Sequence, residues 1–187
     1  MTDKMSKKSK IILIILLTFY LVYFSIVIFG MSLFHSRISL YSITGVSLPF
    51  ICFAFIIYGL FRTSDLTNKK YIYISLILTL LPMIVSFGLL GLNEFGSKFN
   101  HKRWIAEKEK RVWMVDDLLR NHEIIGMDKN DIVELLGEPS DTEYFKELDN
   151  IVYYLGPERG LIRIDSEWLA IWFDEKNIVT EFKIMRD

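Results

Sequence analysis

Three long apolar segments lie in the first half of this 187-residue chain, at residues 11–30, 40–61 and 71–92. None of the three contains Asp, Glu, Lys, Arg or His. An α-helix rises about 1.5 Å per residue, so about 20 residues cross the ~30 Å hydrocarbon core of a bilayer. An ionised side chain at mid-membrane costs at least a few kcal/mol. The pattern therefore predicts three transmembrane helices within residues 1–92, followed by a soluble tail.

The net charge of −1 hides a strong asymmetry between the two halves of the chain. Residues 1–100 contain nine Lys or Arg against three Asp or Glu, whereas residues 101–187 contain 13 against 20. A basic membrane half suits anionic head groups, which makes the lipid bilayer the first predicted partner. The acidic tail argues against nucleic acid, because nucleic acid is bound by basic patches.

The orientation of the chain is predicted from the Lys and Arg residues that flank the spans. With the N-terminus inside, seven lie on the inner side (Lys4, Lys7, Lys8, Lys10, Arg62, Lys69 and Lys70) and five on the outer side (Arg37, Lys98, Lys102, Arg103 and Lys108). The flank of the first span usually dominates, and here it is strongly basic. We therefore predict a multi-pass protein of the cytoplasmic membrane, with a cytoplasmic N-terminus and an extracytoplasmic C-terminal domain.

The sequence gives little indication of catalysis. Cys52 is the only cysteine and lies in the second apolar segment, and His35, His101 and His122 have no partner at zinc-site spacing. The tail has no nucleophile elbow and no phosphate-binding glycine loop. We therefore predict no enzyme activity, no cofactor and no metal site.

The tail begins with a polar, mixed-charge stretch, residues 93–111, which is predicted to be a stalk or linker. Apolar residues at helical spacing then predict a helix over about 104–122, through Val112, Val115, Leu118 and Leu119. A second, short helix is predicted at 129–136. Asp128 is suited to cap its start, Gly137 to end it with a left-handed residue, and Pro139 to prevent its continuation.

Strand candidates fill the rest of the tail. They lie at residues 142–145, 151–155, 167–173 and 178–185, the first being the weakest and the last two forming a hairpin. Residues 161–164 fit either a further short strand or an irregular crossing. On the last strand, Ile178, Thr180, Phe182 and Ile184 are predicted to face the core, and Val179, Glu181 and Lys183 the solvent.

Residues 112–187 resemble the SmpA/OmlA family, the small domain of the BamE-like outer-membrane-assembly lipoproteins. The pattern G-M-x(8)-L-G-x-P carries the resemblance, through Gly126, Met127, Leu136, Gly137 and Pro139. It implies an α+β domain with two helices packed on an antiparallel sheet of three to four strands, here joined to the α-helical membrane region. This chain departs from the family pattern, because three spans replace the lipid anchor and the domain is acidic.

A partner surface is predicted on the sheet. Trp168 and Trp172 alternate with Leu169, Ile171 and Phe173, so one apolar row faces the helices and the other needs a cover. The candidate partner surface consists of Trp168, Trp172, Tyr154, Arg159 and Arg163. The alternatives are that loop 156–166 or the stalk helix covers this face, and that the two arginines pair with Glu158, Asp165 or Glu167 instead of binding a carboxylate or phosphate.

Together these features predict a membrane-anchored, extracytoplasmic protein-interaction module that acts in assembly or maintenance of the cell envelope. The alternative is a sensor or regulatory membrane subunit whose tail binds a partner or ligand. A small transporter component that works as an oligomer is a third possibility, since Gly88 and Gly91 lie close together on the third segment.

Overall fold

The computed structural model describes residues 7–63 and 66–187 and divides into two compact units, Met1–Glu94 and Phe95–Asp187. Lys4, part of the basic flank that predicts the orientation, lies outside the described residues.

Three long apolar helices make up the described part of the first unit. They are α1 (Lys7–Leu33), α2 (Leu40–Thr63) and α3 (Leu66–Ser97). Each contains one predicted segment, and each is long and apolar enough to cross a membrane. The helices extend beyond the apolar segments because polar flanking residues continue the same backbone hydrogen-bonding pattern.

The helices of the first unit meet through both apolar and small polar side chains. Phe24, Val46 and Leu90 are buried in an apolar cluster. The Tyr20 hydroxyl donates to the carbonyl of Thr79 (2.9 Å). The Asn93 side-chain amide donates to the carbonyls of Met31 (3.1 Å) and Ser36 (3.0 Å). These bonds satisfy polar groups that are buried between the apolar helices.

The second unit, described throughout, is an α+β domain. Its elements are α4 (His101–Ala106), a 3₁₀ turn (Lys108–Lys110), α5 (Arg111–Asn121), α6 (Lys129–Leu136), β1 (Asn150–Pro157), β2 (Ser166–Phe173) and β3 (Val179–Arg186). The strands form one antiparallel sheet in the order β1-β2-β3. The strand predicted at 142–145 is wrong: Phe145 has a φ of +57°, and the Tyr144 amide donates to Thr142 Oγ1, so the segment turns.

Residues 93–111 do not form the predicted stalk, because the second half of this stretch is part of the domain. Trp104 is fully buried in the domain core, and its Nε1 donates to the carbonyl of Leu136 (3.1 Å). The helix predicted over 104–122 is interrupted at the 3₁₀ turn. Arg111 Nε donates to the carbonyl of Trp104 (2.7 Å), which satisfies a carbonyl near the break.

The prediction of a short helix at 129–136, capped by Asp128 and ended by Gly137, is confirmed by α6. Asp128 accepts from the amides of Asn130 (2.7 Å) and Asp131 (3.0 Å), and Gly137 ends the helix with a φ of +76°. Leu136 is fully buried and Pro139 partly buried.

The residues before α6 join it to the sheet. Gly126, with a φ of +88°, donates to the carbonyl of Val179, and Val179 donates to the carbonyl of Met127, both at 2.9 Å. Met127 packs against the core. The G-M pair thus fixes the approach to α6 against the first residue of β3.

Two bulges set which side chains face the helices. Leu155 is the extra residue of β1 and Thr180 the extra residue of β3, where the pairing passes from Phe173–Val179 to Trp172–Glu181. One extra residue reverses the alternation of faces. Phe182 and Ile184 therefore pack against the core as predicted, whereas Val179 is buried and Thr180 exposed, contrary to the prediction.

Candidate functional site

The sheet has two apolar faces, and the helices cover one of them. Leu169, Ile171 and Phe173 of β2 pack with Leu118 and Ile132 of the helices in the main core. The opposite face, here called the second face, consists of Val152, Tyr154, Trp168, Ala170, Trp172 and Met185. It contains three of the five residues of the predicted partner surface.

The second face is covered by residues 140–149, a segment that was predicted to include a strand at 142–145 and not to act as a cover. Phe145 packs against the buried side chains of Val152, Trp168 and Ala170. The cover is therefore neither of the two segments proposed from sequence, loop 156–166 and the predicted stalk. Trp168 is only 8% exposed, so it is not an open binding residue.

Both ends of the covering segment are hydrogen-bonded to β1. The Ser140 amide donates to the carbonyl of Val152 (2.8 Å), and the Tyr154 amide donates to Ser140 Oγ (2.8 Å). At the other end, the Asn150 side chain donates to the carbonyl of Phe145 (2.8 Å) and accepts from the Glu147 amide (2.9 Å). The segment thus forms a pinned strap across the face.

Aromatic rings form the interface beneath the strap. Tyr144 stacks on Trp168 with ring centroids 5.6 Å apart, and Tyr154 meets the same ring edge-on at 5.0 Å. Trp168 Nε1 is buried with no hydrogen-bond partner among the described residues. A buried N–H group without a hydrogen-bond partner costs about 1–3 kcal/mol, so the Trp168 N–H group destabilises this interface.

Three exposed apolar or aromatic side chains of the strap and of β2 are here together called the rim patch: Tyr144, Leu148 and Trp172. Tyr144 is 57% exposed and Leu148 is fully exposed, and Trp172 is partly exposed. Trp172 Nε1 donates to Glu147 Oε2 (2.8 Å), and Lys183 Nζ lies 5.6 Å from the ring centroid. The Trp172 ring therefore contacts one acidic and one basic side chain.

Arg159 is engaged by two carboxylates, as the pairing alternative predicts. Its Nη2 lies 2.8 Å from Glu167 Oε2 and its Nη1 2.8 Å from Asp116 Oδ2. Its backbone amide donates to Glu167 Oε1 (3.0 Å). Burial alone would lower the pKa of the Arg159 guanidinium, but the hydrogen bonds to Glu167 and Asp116 outweigh it and raise the pKa. The charges are matched internally, so Arg159 is not poised to bind an external anion.

Arg163 lies on the exposed loop between β1 and β2. Its guanidinium lies 5.4 Å from the ring centroid of Trp113 on α5, and its Nε donates to the carbonyl of Gly160 (3.4 Å). Three neighbours on this loop are strongly exposed: Leu161 (67%), Ile162 (66%) and Ile164 (84%). Arg159 and Arg163 thus lie on the loop before β2, whereas Trp172 lies near the other end of that strand.

Arg111 is a second buried guanidinium. It is 2% exposed, lies over the ring of Trp104 (5.0 Å) and donates from Nη1 to the carbonyl of Tyr154 (3.4 Å). Burial lowers the pKa of Arg111, and it raises the pKa of the neighbouring Tyr153, whose hydroxyl donates to the carbonyl of Gly137 (2.9 Å). These bonds join α5, β1 and the end of α6, which is a structural role.

Two groups of candidate residues were missed by the sequence analysis. Tyr144, Phe145 and Leu148 interrupt an otherwise polar stretch, and Leu161, Ile162 and Ile164 fall within four residues of a loop. Apolar residues clustered in segments without a repeating pattern were the available signal.

The described residues contain no group of three or more His, Cys, Asp or Glu side chains placed to hold a metal ion. No protein-family model matches the chain, and no curated protein or solved structure is similar enough to count as a match.

Proposed function

We propose that this protein is a membrane-anchored, extracytoplasmic protein-interaction module. The three apolar helices anchor it in the cytoplasmic membrane, with the N-terminus inside, and the domain of residues 95–187 binds a protein partner outside. The length and composition of the helices support the anchor. The Lys and Arg distribution supports the orientation.

The observation that carries the proposal is the rim patch. Tyr144, Leu148 and Trp172 are apolar or amphipathic side chains that remain accessible, with Glu147 and Lys183 beside Trp172. Aromatic side chains surrounded by polar groups dominate the binding energy of protein interfaces. The patch fits a partner protein that presents an apolar side chain flanked by a hydrogen-bonding or charged group.

The cellular process we propose is assembly or maintenance of the cell envelope. Helices α5 and α6 with the three-stranded antiparallel sheet support this assignment, because two helices on such a sheet are the arrangement that the SmpA/OmlA resemblance implies; α4 is an additional helix. The G-M-x(8)-L-G-x-P residues also have defined structural positions, since Gly126 and Gly137 adopt positive φ at the two ends of the α6 region.

The test is site-specific photocrosslinking in cells, with a photoreactive residue placed at Leu148 of the full chain. We expect a discrete crosslinked protein that disappears when Trp172→Ala is added. The matched control carries the photoreactive residue at Lys176, an exposed position in the β2–β3 turn. Equal crosslinking from both positions, or crosslinks unchanged by Trp172→Ala, would refute a docking role for the rim patch.

A second candidate function, a sensor or regulatory subunit, is supported by the short connection between the two units. Helix α3 ends at Ser97, and the amide of Phe99 already donates to Asp117 Oδ2 (2.8 Å). A sensor would transmit a signal from the domain to the helices only if this connecting segment is stiff. Insertion of a flexible Gly-Ser segment after Ser97 should abolish signalling by a sensor, whereas a docking module would keep its crosslink.

A further inference from the structure

The loop between β1 and β2, residues 158–165, exposes more apolar surface than its position in an acidic domain explains. Leu161, Ile162 and Ile164 are each at least 66% exposed. Single exposed aliphatic residues are normal on protein surfaces, but three within four residues form a patch. Such a patch indicates a contact with something apolar.

The base of the loop is held by a hydrogen bond and by an ion pair. At its base, the Glu158 amide donates to the carbonyl of Asp165 (2.9 Å). Arg159 is bound by Glu167, which is fully buried in β2. The closed base fixes the direction of the loop, so binding there needs little additional ordering.

The loop leaves the domain beside the place where the chain enters it. Both places are bound by neighbouring residues of α5: Asp117 accepts from the amide of Phe99, and Asp116 pairs with Arg159. Phe99 lies seven residues after residue 92, the end of the third apolar segment. Seven extended residues reach at most about 25 Å, so the chain itself limits how far Phe99 can lie from the end of that segment.

We propose that the β1–β2 loop inserts Leu161, Ile162 and Ile164 into the interfacial layer of the bilayer that holds the apolar helices. This inference rests on the membrane anchoring proposed above. Aliphatic side chains enter the boundary between head groups and acyl chains, and an arginine such as Arg163 keeps its charge among the head groups. The loop carries Glu158 and Asp165 as well as two arginines, so apolar burial, and not attraction to anionic lipid, supplies the contact.

Trp172 is left accessible by this contact. The loop precedes β2, whereas Trp172 lies near the other end of that strand. At about 3.3 Å per residue, the six residues from Ser166 to Trp172 separate the two by about 20 Å. One end of the domain would thus contact lipid while Trp172 remains open to a protein.

The experiment places an environment-sensitive fluorophore on single cysteines of the full chain in nanodiscs of zwitterionic lipid, one copy per disc. The test position is Ile162→Cys in a Cys52→Ser background. We expect its emission to shift to the blue and to be quenched by lipids with a nitroxide near the head group. A cysteine at Leu148, which is as exposed but lies on the strap, is the matched control and should remain aqueous.

The native Cys52, exposed on α2, separates the two proposals. If nitroxides deep in the acyl chains do not quench a fluorophore on Cys52, the membrane anchoring itself is wrong. If Cys52 is quenched while the label at residue 162 remains aqueous, the anchoring stands and the loop insertion is refuted. A blue shift at residue 162 without quenching by lipid nitroxides would also refute it, because the loop would then be buried against protein.

Discussion

The two units of this protein expose different kinds of side chain. In the helical unit, Phe19 and Phe55 are about 70% exposed, while Ser86 and Thr79 are buried. In the α+β domain, Leu118 and Leu169 are fully buried, and most charged residues lie on the surface. The contrast agrees with two different solvents. Apolar surface exposed to hydrocarbon has no free-energy cost, whereas apolar surface exposed to water is unfavourable and becomes buried.

The same contrast shows in how each unit uses buried polar groups. The helical unit ties helices together with hydroxyl and amide donors, such as Tyr20 and Asn93. The domain instead buries two charged residues, Arg111 and Glu167, each with polar partners. All four tryptophans, Trp104, Trp113, Trp168 and Trp172, lie in the domain, so tryptophan fluorescence of the full chain reports the unfolding of that unit alone.

The largest expected effect is the loss of the buried carboxylate in Glu167→Ala. Arg159 would keep only Asp116, and a half-buried cation would lose its main partner. Removal of one partner from a buried pair costs about 3–5 kcal/mol. Urea unfolding followed by tryptophan fluorescence should show a decrease of that size in the free energy of unfolding.

The control, Glu181→Ala, breaks the exposed pair with Lys183 and should cost less than about 1 kcal/mol. Similar losses in both variants would contradict the proposed importance of the Arg159–Glu167 pair for stability.

A smaller but still large effect is expected for Gly156→Ala. Gly156 has a φ of +131°, and an added Cβ would collide with the carbonyl oxygen of Glu109 in the 3₁₀ turn. Because backbone must move, we expect a loss of about 3 kcal/mol in domain stability. The matched substitution Gly160→Ala meets only Glu158 Oε1 at 3.6 Å, so it should cost clearly less in the same urea titration. Equal costs would mean that the close approach of β1 to the 3₁₀ turn is not tightly held.

The smallest effects are expected when the same change, Tyr to Phe, is made in each unit. Tyr20→Phe and Tyr153→Phe each remove a buried hydroxyl that donates to a carbonyl at 2.9 Å. In the domain we expect a loss of about 1 kcal/mol, measured by tryptophan fluorescence. In the helical unit we expect about 0.6 kcal/mol, because polar groups also find partners when helices separate in a membrane. Energy transfer between dyes on Cys52 and on a cysteine at Ile14, during SDS titration, would measure the second value. A larger loss for Tyr20→Phe would reverse the proposed contrast.

The elements that were predictable from sequence are those with a local physical cause. The apolar segments determine α1, α2 and α3, and the Asp128 cap and Gly137 determine the bounds of α6. Alternation on β2 correctly separates Leu169, Ile171 and Phe173 from Trp168 and Trp172.

The features that were not predictable depend on contacts distant in sequence. Trp104 belongs to the core because Leu136 accepts its N–H, which nothing in the polar stretch 93–111 indicates. The burial of Val179 depends on the bulge at Thr180, which reverses the alternation of faces. The cover of the second face depends on the fit of Phe145 to that face, and turn-forming neighbours hide this role in the sequence.

The central claim is that the helices cross a membrane and hold the domain on its outer side. The most direct measurement labels a single cysteine at Lys176, in the exposed β2–β3 turn, with a membrane-impermeant maleimide, in a Cys52→Ser background. Labelling of intact cells would agree with an extracytoplasmic domain. Labelling only after lysis would place the domain in the cytoplasm and contradict the proposed envelope function.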